Sequence, residues 1–122
     1  MKVLILLAAG LLASTAAAAA DGGPVTMRGL GIASCNQYLA VRKEQGITPN
    51  KATYNQWAQG FMTGLNVALY MKSQRYADLP DPDSMNQWLT TYCSANPGKP
   101  FHEAVSGLIA ERSMPVDKPA AK

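Results

Sequence analysis

The sequence predicts an all-α protein, a compact bundle of about four helices closed by one disulfide. Three observations carry that expectation. No segment alternates apolar and polar residues with period two over a strand's length, and no hairpin signal joins two such runs. Four segments instead bring apolar residues back at helical spacing, and capping residues or prolines mark where they begin. The chain of 122 residues holds two cysteines, Cys35 and Cys93, so only one pairing within the chain is open to them.

The N-terminus must be separated before the rest is read. Met1 and Lys2 precede an apolar run from Val3 to Leu12, which passes into small residues ending Ala18-Ala19-Ala20. This is the pattern of a secretory signal peptide over residues 1–20, with cleavage expected after Ala20. The run is shorter than the roughly 20 apolar residues that a spanning helix needs. The expectation is a periplasmic or secreted protein with no stable membrane insertion after signal cleavage. Without the leader the chain has 102 residues, and loss of Lys2 takes the net charge from +3 to +2. That small basic excess is spread along the chain and gives no electrostatic footprint for nucleic acid. In an exported chain the two cysteines read as a disulfide. Closing 58 residues, it should stabilise the fold by about 4 kcal/mol on the chain-entropy model.

Residues 21–33 are glycine-rich without a sustained period and read as a flexible N-terminal arm. The helical domain is expected over 34–112. Ser34-Cys35-Asn36-Gln37 has the form of a capping box, and Gly46 stops the first helix after the basic turn at Arg42 and Lys43. Thr48 and Pro49 open the second helix as cap and first residue. Tyr54, Trp57, Ala58, Phe61, Met62, Leu65, Ala68 and Leu69 then keep to one side of it, to about residue 74. Gly60 and Gly64 lie one turn apart within it, and each is disfavoured by about 1 kcal/mol against alanine. With Ala68 they form a small-residue groove that predicts close helix approach, within the monomer or across a possible homodimer. A Gly60→Leu change is expected to disrupt that approach.

Tyr76 to Pro80 reads as a connection. Asp81-Pro82 repeats the cap-and-proline signature, and Met85, Trp88, Leu89 and Tyr92 follow at i, i+3, i+4 and i+7, with Cys93 in the last turn. Asn96-Pro97-Gly98 ends this third helix. A fourth begins near Pro100, carrying Phe101, Ala104, Val105, Leu108 and Ile109 to Arg112. Residues 113–122 read as a disordered tail.

The inventory for catalysis is thin. His102 is the single histidine, and its neighbour Glu103 faces another way on a helix. Asp78, Asp81 and Asp83 cluster around two prolines but lack the twelve-residue calcium loop with its internal glycine and final glutamate. No C-x-x-C-H haem signature, nucleophile motif or phosphate-binding glycine loop is present. The expectation is no enzyme, no catalytic residues, no metal and no cofactor, hence a protein that works by touching other proteins.

A series of residues supports a more specific expectation: Cys35-x-x-Tyr38-Leu39, Trp57-x-x-Gly60-Phe61-x-x-Gly64-x-Asn66, Trp88-Leu89-x-x-Tyr92-Cys93-x-x-Asn96-Pro97 and Phe101-x-x-Ala104-Val105. Over about residues 34–110 it resembles the HdeA/HdeB type of small periplasmic helical protein. It is also similar to the Rap1a/Tai type of periplasmic immunity protein. The first resemblance implies an acid-stress chaperone, dimeric at neutral pH, that partly unfolds in acid and binds unfolded clients. The second implies a dimer that inhibits one dedicated secreted effector that degrades cell wall. Acid would carry the mature charge from +2 toward +11, as eight carboxylates lose charge and His102 gains it. Tyr70, Lys72, Gln74, Arg75 and Tyr76 give the second helix a polar, aromatic and basic end suited to an acidic partner. Trp57, Phe61, Trp88, Leu89 and Phe101 are expected in the core, and secondarily as a client or partner surface.

Overall fold

Each helix starts where a side chain or a distant carbonyl takes up backbone N–H groups that the helix cannot bond itself. The computed structural model describes residues 26–116. The expected signal peptide and its cleavage site lie outside that range, as do the first part of the arm and the last six residues. The described chain forms α1 (Cys35–Arg42), α2 (Pro49–Ser73), β1 (Arg75–Ala77), α3 (Pro82–Ala95), α4 (Phe101–Arg112) and β2 (Ser113–Pro115), after a 3-10 turn at Gly29–Ile32.

Ser34 and Gln37 close the capping box: the Ser34 side chain accepts from the Gln37 N–H while Gln37 Oε1 accepts from the Ser34 N–H at 2.8 Å. Thr48 caps α2 by accepting from the Lys51 N–H, and Asp81 caps α3 by accepting from the N–H groups of Asp83 and Ser84. No side chain caps α4. Its first N–H, from Phe101, donates instead to the Ala33 carbonyl at 2.7 Å. In return the Cys35 and Asn36 N–H groups, at the start of α1, donate to the carbonyls of Lys99 and Pro97. The two segments that open α1 and α4 therefore cap each other.

The core lies where α1 packs on α3, α2 on α4 and α3 on α4. Tyr38, Met62, Met85, Leu89, Phe101, Val105 and Leu108 are fully buried in it, and each such side chain contributes about 1.5–3 kcal/mol by leaving water. Tyr38 stacks on Phe101 with ring centroids 4.7 Å apart and meets the edge of Tyr54 at 5.5 Å. Its hydroxyl donates to Asn86 Oδ1 at 3.1 Å, and burial pushes its pKa up. The Cys35–Cys93 disulfide joins the first residue of α1 to the last turn of α3, with Cα atoms 4.9 Å apart.

Two boundaries differ from the sequence expectation. The segment expected as a flexible arm over 21–33 ends in a packed turn: Gly31 is buried, and a Cβ there would stand 2.3 Å from the Trp57 ring. The tail expected to be disordered over 113–122 begins with a strand, β2, paired antiparallel with β1 in the register Arg75–Pro115, Tyr76–Met114, Ala77–Ser113. The Arg75 guanidinium holds this pairing by donating to Ser113 Oγ at 2.9 Å and to the Ser113 carbonyl at 2.8 Å. Asn66 fixes β1 to α2, accepting from the Ala77 N–H at 2.7 Å and donating to the Ala77 carbonyl at 3.1 Å.

Candidate functional site

The described residues place the expected surface positions in two groups. Leu89 and Phe101 are fully buried and belong to the core alone. Trp57, Phe61 and Trp88 are half-buried at its margin. Trp57 stacks on Phe61 with centroids 4.9 Å apart, and the pair floors a groove of about 500 Å³ bounded by Met27, Arg28 and Gln56. Trp88 stacks on Tyr92 at 5.5 Å beside a second groove of about 440 Å³, lined also by Ser84, Gln87 and Thr91. Its indole N–H donates to Glu111 Oε2 at 3.0 Å, which ties α3 to α4. Gly107 makes room for the ring, since a Cβ there would lie 3.3 Å from it.

Gly60 and Gly64 are not brought against another helix. A Cβ at either position would meet nothing within 4 Å. The small-residue groove is instead open, and Thr63, Val67, Ala68 and Met71 extend it along α2, with Met71 76% exposed. From Ala52 to Met71 the helix carries no charged residue. Val67 and Met71 were not singled out by sequence reasoning, although they continue the Gly60–Gly64 spacing on the side opposite the buried Tyr54, Ala58 and Met62. Beside this face a groove of about 450 Å³ runs between α2 and α4, lined by Leu65, Ala68, Leu69, Ser106, Ile109 and Ala110. Of the expected basic end of α2, Tyr70 and Lys72 are exposed, while Arg75 is committed to Ser113.

The charged groups sit at joints between elements. Glu44 accepts from Thr48 Oγ1 and from Asn50 Nδ2, bonds that lower its pKa and brace the α1–α2 loop. Asp81 is held low first by the Ser84 backbone N–H and then by the Ser84 hydroxyl. Glu103 pairs with Lys99 at 3.0 Å and raises the lysine's pKa. Among the described residues no group of three His, Cys, Asp or Glu side chains is placed to hold a metal ion, and no helix is long and apolar enough to cross a membrane.

No protein-family model, curated protein or solved structure matches the chain. Its chemistry must be read from its own residues: an uncharged helix face, two half-buried aromatic pairs, and carboxylates that tie the elements at their ends.

Proposed function

We propose that this is an exported protein-binding protein that responds to acid, loosening at low pH to hold unfolded clients on its aromatic and apolar surface. The observation that carries the reading is the placement of the carboxylates. Glu44, Asp81, Glu103 and Glu111 each accept a bond that fixes a loop, a cap or a helix pair, while among the described residues no carboxylate lies in the core. Glu44 and Asp81 have folded-state pKa values below their usual range, so the stability they contribute is present above that range. It is lost as pH falls through the depressed values. The disulfide and the core side chains do not change charge in acid, since the buried Tyr38 and Tyr54 have pKa values raised above 10.0. Acid therefore releases the joints first and leaves the stapled centre.

Loosening of the fold would add the half-buried Trp57, Phe61 and Trp88 to the apolar face that α2 already presents. Rising positive charge would keep the loosened chain soluble. The test is light scattering of an aggregation-prone periplasmic extract with and without the mature protein, at pH 2 to 3 and at pH 7. Suppression at low pH alone is expected, and no suppression at either pH removes the reading.

A second reading, an immunity-type inhibitor of one secreted cell-wall-degrading effector, is favoured by the part of the surface that needs no acid. Val67, Tyr70 and Met71 are exposed in the folded state, and such apolar and aromatic side chains anchor protein interfaces. Binding to a single effector at pH 7, with no antiaggregation activity in acid, is the result that selects it.

A further inference from the structure

The solvent face of α2 is uneven along its length. Its C-terminal half carries side chains that stand out: Val67 is 55% exposed and Met71 76%. Its N-terminal half is hollow. Gly60 and Gly64 present no side chain there, and the groove of about 500 Å³ floored by Trp57 and Phe61 opens beside Gly60.

Gly64 lies midway between projection and hollow. Met71 follows it by seven residues and Trp57 precedes it by seven, which is two turns of helix, or about 10 Å, in each direction. Residues that turn by about 100° each keep Gln56, Gly60, Gly64, Val67 and Met71 on one side of the helix, opposite the buried Tyr54, Ala58 and Met62. A twofold axis through Gly64, perpendicular to the helix, reverses a second α2 and exchanges its halves. Met71 of one copy then comes level with the partner's Trp57, and Val67 falls between the partner's Gly60 and the partner's Gly64. Each projecting side chain enters a hollow of the facing helix, as knobs enter holes.

The charges permit this pairing. No charged residue lies between Ala52 and Met71, so two copies meet without the facing like charges that oppose association. The flanking cations are turned elsewhere: the Lys51 ammonium donates to the carbonyls of Glu44 and Gly46, and Lys72 lines the groove between α2 and α4. Arg28 belongs to the arm that bounds the Trp57 groove, and the axis sets its two copies at opposite ends of the contact. From Gln56 to Met71 the face is about 24 Å long and about 10 Å wide. Two such faces cover about 1,000 Å² in total, the lower bound for a specific interface, which suits a reversible dimer rather than a permanent one.

We propose that the open face of α2 is the contact of a reversible homodimer, in which two α2 helices cross antiparallel at Gly64 and each Met71 occupies the groove at the partner's Trp57. A partner of another sequence has no need of projections and hollows equally spaced about one residue. The dimer does not rest on the protein-binding reading, since molecular mass tests the one and light scattering the other.

Sedimentation equilibrium of the mature protein at pH 7, from about 1 µM to about 1 mM, should show the mass rise from one chain to two and stop there. Gly60→Leu fills the hollow, yet its Cβ meets nothing within the monomer, and Met71→Glu places a charge against an apolar groove. Each should weaken the dimer at least about tenfold, while the Tm of the dilute monomer does not fall. Ile47→Glu, in the loop before α2, should leave the dimer unchanged. Gly64→Cys should form an intermolecular disulfide on mild oxidation, because the axis brings this position to its own copy, and Ile47→Cys should not. A single chain throughout the range overturns the proposal, as does growth beyond two chains. A dimer that Gly60→Leu or Met71→Glu leaves intact overturns it too, and so does a Gly64→Cys variant that links no faster than Ile47→Cys.

Discussion

At Gly31 the absence of one carbon decides how the N-terminal turn meets the core. A Cβ there would lie 2.3 Å from Trp57 and 2.9 Å from Met27 Sδ, so Gly31→Ala must push the turn or the indole aside. Overpacking of this kind destabilises by about 1–3 kcal/mol, and urea denaturation followed by tryptophan fluorescence should show a lower midpoint. Gly64→Ala is the opposite case, because its Cβ enters open space. Removing a helical glycine there should stabilise the monomer by about 0.5–1 kcal/mol. A loss of stability would mean that a second surface covers this face in solution. Sequence reasoning found both α2 glycines, but it could not tell an open groove from a filled one. Helical spacing marks which residues share a side, whereas occupancy of that side depends on elements far along the chain. Gly31 left no signal either, since its need is set by Trp57, 26 positions away.

The helices as elements were largely legible, because their signals are local. Ser34, Thr48-Pro49 and Asp81-Pro82 mark starts within a few residues of the apolar pattern they introduce, and α1, α2 and α3 begin there. Thr48→Ala should lower stability by about 1 kcal/mol through loss of the α2 cap, measurable as a lower Tm. The strands were not legible. Each spans three residues, too short for a period, and the paired residues lie between 36 and 40 positions apart in sequence. Their anchor is Asn66, an amide in a helix that bonds both backbone groups of Ala77 as a neighbouring strand would. Asn66→Ala removes two bonds and leaves buried backbone groups to find water, a loss of about 1–3 kcal/mol. Hydrogen exchange should then accelerate at Ala77 and along β1 before it does so in α4, which would locate the effect in the strand pair. The reciprocal caps of α1 and α4 were hidden for the same reason, as backbone carbonyls carry no mark in sequence.

At the scale of the molecule, a disulfide through the core and carboxylates at the joints make two kinds of restraint with different sensitivities. Reduction removes the constraint on 58 residues and should lower stability by about 4 kcal/mol, seen as a large drop in Tm at pH 7. Acid acts elsewhere. The lowered pKa values of Glu44 and Asp81 mean that the stability they contribute falls as pH drops through and below the usual carboxylate range. Glu44→Gln and Asp81→Asn should each flatten that decline, with the Asn variant keeping an N-cap at neutral pH. Urea midpoints measured across this range for the three proteins check both statements. In acid the oxidised protein should keep helical circular dichroism that the reduced protein loses. The sequence by itself determined the helix starts, the single disulfide and the scarcity of catalytic groups, since these depend on neighbouring residues and on counting. Only the tertiary structure decided that α2 keeps an uncharged face open, that side chains project from one half of it while a groove lies at the other, and that the ends of the described chain are packed. Those outcomes depend on which distant segments meet, and packing in three dimensions sets that.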